Sequence, residues 1–130
     1  MSDTPDTTIS SITSAELASK LDANEAFVVD IRMKATGEQI PGSRQYDAKQ
    51  LLDAEPLVLP MPKDGLTVVV DNHGDEKDLG RVVERLGAAG FANVRILEGG
   101  FKAWSEAELP TEELSMKQPV AGAAGHQLFR

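Results

Sequence analysis

Two kinds of apolar pattern take turns along this chain. Ala26-Phe27-Val28-Val29-Asp30-Ile31, Leu66-Thr67-Val68-Val69-Val70 and Asn93-Val94-Arg95-Ile96-Leu97 are nearly continuous runs. Such runs read as strands covered on both faces, as in a parallel sheet. Between the last two, Leu79, Val82, Val83, Leu86 and Ala89 recur at helical spacing and stop at Gly90, a C′ glycine. Thr13-Ser14-Ala15-Glu16 is a capping box, and Ala15, Leu17, Ala18 and Leu21 predict a helix over roughly 14–22. Ile9-Ser10-Ser11-Ile12 predicts a short edge strand, and Ala48, Leu51 and Leu52 a short helix. Ile40-Pro41-Gly42 marks a tight turn, while the stretch from Leu57 to Lys63 reads as irregular. Gly99-Gly100 leads into a short helix carrying Phe101, Ala103 and Trp104. The expected division is a frayed N-terminus over 1–8, one domain over 9–111 and a flexible tail over 112–130.

Strands alternating with helices imply an α/β domain with ligands beyond the carboxyl ends of its strands. The segment Asp71-Asn72-His73-Gly74-Asp75-Glu76-Lys77-Asp78 stands at that position, between the most apolar strand and the clearest helix. A strand, a loop and a helix N-terminus together make an anion cradle of backbone N–H groups. Here four acids oppose one lysine. The resulting formal charge of about −3 repels the anion that the backbone geometry favours.

Composition narrows the function further. With 130 residues the chain suits one domain. A net charge of −8 leaves no basic stripe for nucleic acid and disfavours anionic membrane surfaces. The count of zero cysteines excludes disulfides, thiolate metal centres and a cysteine nucleophile. The acidic start, Met1-Ser2-Asp3-Thr4-Pro5-Asp6, lacks the basic and apolar regions of a signal peptide. No apolar stretch approaches the ~20 residues needed to cross a bilayer. A soluble, cytoplasmic protein is expected.

Four segments in order resemble the rhodanese family. Val28-Val29-Asp30-Ile31-Arg32 is similar to the family's V-D-V-R strand end, and Gly37-Glu38-Gln39-Ile40-Pro41-Gly42-Ser43 to G-H-I-P-G-A. Gly90-Phe91-Ala92-Asn93-Val94 resembles G-F-x-x-V, and Leu97-Glu98-Gly99-Gly100-Phe101-Lys102-Ala103-Trp104 resembles L-x-G-G-x-x-A-W. The resemblance covers roughly residues 9–111. It implies a three-layer α/β fold, a five-stranded, mostly parallel sheet flanked by helices. Active members carry C-x-x-G-x-R after the central strand, where the cysteine accepts sulfane sulfur and the arginine holds the anion. In this chain Asp71 is the expected cysteine equivalent when Gly74 is matched to the family glycine. Counting back from Gly90-Phe91 points to His73 instead, so the register stays open among Asp71, Asn72 and His73. Glu76 or Asp78 falls at the arginine position, and Arg81 lies one turn into the helix.

A carboxylate can attack phosphoryl or glycosyl groups but cannot relay sulfane sulfur. No catalytic residue, cofactor or metal is therefore assigned. The expectation is a non-catalytic binding or regulatory module with a protein partner, in place of nucleic acid or membrane, and with its oligomeric state open. One alternative is an enzyme or divalent-metal protein using Asp71, His73 and Asp75, although their spacing matches no established metal motif. Another is an interaction protein whose tail, with Leu128 and Phe129, docks a partner. Asp30 and Arg32 are expected to pair structurally, and Phe101 and Trp104 to serve the core.

Overall fold

The computed structural model describes residues 10–120. In chain order the elements are β1 (Ser11–Ile12), α1 (Ser14–Asp22), β2 (Ala26–Asp30), β3 (Glu38–Gln39) and β4 (Arg44–Gln45). They continue with α2 (Ala48–Asp53), β5 (Leu66–Val70), α3 (Leu79–Ala88), β6 (Asn93–Leu97), α4 (Gly100–Glu106) and β7 (Glu112–Glu113). Five strands form one sheet in the order β1-β6-β5-β2-β4, and every pair in it is parallel.

The strand at the centre, β5, is buried along its whole length, which explains its unbroken apolar sequence. Val69 packs on one face with Leu51 of α2 and with Val82 and Leu86 of α3. Val68 and Val70 point to the other face, against Leu17 of α1 and Trp104 of α4. This alternation follows from the two-residue period of a strand. The capping box of α1 forms as the sequence predicts: Glu16 N–H donates to the Thr13 hydroxyl, and Thr13 N–H donates to the Glu16 carboxylate. Gly90 has the positive φ (103°) expected of a helix-ending glycine.

The expectation of a flexible tail from residue 112 is corrected for the part described. Strand β7 pairs antiparallel with β3, and Lys117 forms a parallel bridge with Gln45. Gln118 N–H donates to the Gln45 carbonyl at 2.7 Å, and Val120 is fully buried against the α2–α3 side of the core. Residues 112–120 thus form a strap along the β4 edge. A single buried valine and two-residue pairings are too short to register as a periodic pattern, so the sequence reads as tail. Residues 1–8, and the tail from 121 onward with Leu128 and Phe129, lie outside the described residues.

Candidate functional site

The loop at Asp71–Asp78 leaves the carboxyl end of β5 and enters α3, as the strand–helix alternation predicts. Asp71, the first residue after the strand, is fully buried. Its Oδ1 accepts from Gly74 N–H at 2.6 Å and its Oδ2 from Glu76 N–H at 2.9 Å. The carboxylate therefore fills the concavity that its own loop makes. Burial pushes the Asp71 carboxyl above the usual aspartate range; the two amide bonds pull it down, and the neighbouring Glu76 charge raises it.

Glu76 braces the same turn. Its Oε2 accepts from Asn72 N–H at 3.2 Å and from Asn72 Nδ2 at 2.6 Å. Behind the loop stands the start of α4, where Phe101 N–H donates to the Asp71 carbonyl and Lys102 N–H to the Asn72 carbonyl. Two of the otherwise unpaired N–H groups of that helix start are thus spent on the loop backbone. The approach demands glycine. A Cβ on Gly100 would lie 2.6 Å from His73 N, and one on Gly74 would lie 2.8 Å from Gly99 N. Gly74, Gly99 and Gly100 all have positive φ.

The remaining loop side chains diverge. His73, Asp75 and Lys77 are exposed, and Asp78 is half-buried and pairs with exposed Arg81 at 3.3 Å. Asp71, His73 and Asp75 do not converge, and among the described residues no three His, Asp or Glu side chains are placed to share a metal ion. Arg81 serves the solvent side of the loop. Arg32, at the carboxyl end of the neighbouring strand β2, is committed elsewhere. Its guanidinium pairs with buried Asp30 at 2.9 Å, donates to the Glu38 carbonyl, and lies 4.0 Å over the Phe101 ring.

Sequence reasoning anticipates the Asp30–Arg32 pair but not the network around it. Gln45 Nε2 donates to Asp30 Oδ2 (2.8 Å) and to Gln39 Oε1 (3.0 Å), while Gln39 Nε2 donates to Glu112 Oε2 (2.7 Å). Ser115 N–H closes the chain onto Gln39 Oε1 at 3.0 Å. Gln39 and Gln45 each stand between a charged and an apolar residue, a pattern with no period to mark them as buried. Phe101 is half-buried beneath Arg32, whereas Trp104 is core and donates from its indole to the Pro110 carbonyl.

A parallel α/β domain with a tight loop beyond its central strand, backed by a glycine pair at a helix start, defines a recognisable class. The model of the Rhodanese-like domain family matches residues 13–107, and the chain belongs to that family. Among solved structures, it is similar to a protein of unknown function from Rhodopseudomonas palustris described as a possible tyrosine phosphatase. That match is 24% identical with a TM-score of 0.63, covering 80% of this chain and 85% of the other. The 3-mercaptopyruvate sulfotransferase of Escherichia coli is 22% identical with a TM-score of 0.66, covering 90% of this chain and 56% of the enzyme. A thiosulfate sulfurtransferase from Pseudomonas aeruginosa is 26% identical with a TM-score of 0.64, over 81% of this chain and 19% of that one. No curated protein matches the chain significantly.

Proposed function

We propose that this is a non-catalytic rhodanese-like domain, a binding or regulatory module whose loop no longer handles sulfur. The observation that carries the reading is the Asp71 carboxylate, which accepts from the Gly74 and Glu76 amides in a chain with no cysteine. A resident carboxylate satisfies the amides that would otherwise attract an external anion, and it offers no sulfur to form a persulfide. Asp75, Glu76 and Asp78 add repulsion, and both nearby arginines are engaged, Arg32 with Asp30 and Arg81 with Asp78. The partner we assign is a cytoplasmic protein with a basic surface, since exposed acids steer complementary encounters. Among the described residues no helix is long and apolar enough to cross a membrane.

Sulfur transfer from thiosulfate or 3-mercaptopyruvate to cyanide tests the reading. The intact chain should form thiocyanate no faster than the uncatalysed mixture. Turnover proportional to protein concentration would overturn it, and loss of that turnover in Asp71→Ala would assign the carboxylate a chemical role.

A further inference from the structure

Away from the Asp71 loop, the hydrogen-bond ladder between β2 and β4 stops early. Tyr46 N–H donates to the Asp30 carbonyl on the β4 side of β2, and Ile31 N–H donates to the Val70 carbonyl on the β5 side. Alternate residues of a parallel strand bond to opposite neighbours. Ala26 and Val28 therefore face the β4 side, yet β4 pairs only with Val29 and Asp30. The next residue to join the ladder would be Gly42, donating to Ala26 and accepting from Val28. Its N–H instead donates to the Glu112 carboxylate at 3.0 Å. Val28 N–H and the Ala26 carbonyl are thus left without a partner among the described residues, although Val28 is only 2% exposed. Buried backbone groups are nearly always paired, so this donor and acceptor mark a place for a backbone from outside.

Both residues border a cavity of about 510 Å³. Its lining includes Leu21, Val28, Trp104 and Leu109 from the α1–α4 side of the sheet, and Phe27 and Met61 from the α2–α3 side. Asp22, the last residue of α1, stands near the start of β2, while Arg44 stands level with Val29. Both line the cavity, and both are exposed and without an ion pair among the described residues.

We propose that this cleft binds an extended segment of a partner protein, parallel to β2, carrying a base, two apolar residues and an acid in that order. A free strand edge beside apolar pockets is the arrangement that accepts an added strand. One residue of the segment supplies both missing partners: its carbonyl accepts from Val28 N–H, and its N–H donates to the Ala26 carbonyl. Successive side chains of an extended segment point to opposite faces. The first apolar side chain therefore meets Phe27 and Met61, and the second meets Leu21 and Trp104. The base meets Asp22 and the acid meets Arg44, and this charge complementarity fixes the direction of the segment. A second folded copy does not supply it. The two runs of this pattern in the chain, Arg81–Glu84 and Arg95–Glu98, are built into α3 and β6.

The test is a titration of the intact, isotope-labelled chain with acetyl-Lys-Val-Phe-Glu-amide, followed by nuclear magnetic resonance. A saturable downfield shift of the Val28 amide proton is expected, with Overhauser contacts from the peptide phenyl ring to Leu21 and Leu109. N-methylation of the peptide valine removes the donor to Ala26 and should weaken binding about tenfold. Exchanging the two charges, as in acetyl-Glu-Val-Phe-Lys-amide, should weaken it roughly fivefold. In Arg44→Glu, with the spectrum of the free chain otherwise unchanged, the preference should invert in favour of acetyl-Lys-Val-Phe-Lys-amide. No saturable shift at Val28, or no inversion in the variant, would overturn the proposal. So would equal affinity for the N-methylated or charge-exchanged peptide, which would reduce the cleft to an unselective apolar cavity. Contacts at Val28 between labelled and unlabelled copies without peptide would assign the cleft to a second copy and overturn it. Shifts confined to Gly74 and Glu76 would overturn it as well, since they would place the peptide at the Asp71 loop.

Discussion

At Asp71, two amides favour the ionised carboxylate, while burial and the neighbouring Glu76 oppose it, and burial is the larger influence. The folded-state pKa is therefore raised. Below the unfolded-state value the group is protonated in both states and folding loses nothing. As pH rises from the unfolded-state value to the raised folded value, stability falls, and above the folded value the loss is complete. Glu76→Gln should lower the Asp71 titration midpoint, read from its carboxyl carbon resonance, because it removes a repulsive charge. A midpoint that rises in the variant, or an ordinary midpoint in the parent chain, would contradict the description of the loop. Arg32 raises a different issue at the same scale. Arg32→Met would leave Asp30 buried with only neutral donors, Gln45 and the residue-32 amide. Breaking a buried pair in this way costs about 3–5 kcal/mol, to be measured by urea denaturation. A loss near that of an exposed pair, ~0–1 kcal/mol, would show that the network tolerates an unpaired carboxylate.

Among the elements, the strap is what the sequence conceals. Strand β5 and helix α3 announce themselves through long runs with one period, because burial over several turns or pleats demands many apolar residues. The strap is held by one buried side chain, Val120, by hydrogen bonds that Gln39 and Gly42 donate to the Glu112 carboxylate, and by the one that Gln118 N–H donates to the Gln45 carbonyl. Polar anchoring leaves no hydrophobic period. Val120→Ala removes two buried methyl groups and should destabilise the chain by about 1.5–3 kcal/mol, from ~0.8 kcal/mol per carbon and the cost of the cavity left behind. Thermal or urea unfolding reads this directly, and an unchanged midpoint would restore the picture of a free tail from residue 112. The α4 start shows the converse case. Gly99-Gly100 stands out in the sequence as a pair, and its physical reason is that only glycine permits backbone contacts this short at positive φ: Gly100 approaches the Asn72–His73 backbone.

For the whole molecule, the family match and the parallel sheet agree with the four motifs spread through the sequence. Legibility fails at the site for a physical reason. Motif spacing locates the loop, but the direction of each carboxylate depends on local backbone turns that spacing does not encode. Of five candidates equally acidic or polar on paper, Asp71 turns inward, Glu76 braces the turn, Asp78 pairs with Arg81, and His73 and Asp75 face solvent. The open cavity beside β2 is also a property of the assembled sheet, since it arises where β4 stops short of its neighbour.

The central claim is that a resident carboxylate occupies the anion nest of this rhodanese-like loop. Titrating the intact chain with thiosulfate while following the Gly74 and Glu76 amide resonances tests it most directly. With the nest already filled, those amides should show no saturable shift, only the weak linear drift of ionic strength. A saturable shift at both amides, with the Asp71 carboxyl carbon displaced alongside, would mean that the loop still opens to an external anion, and would contradict the account.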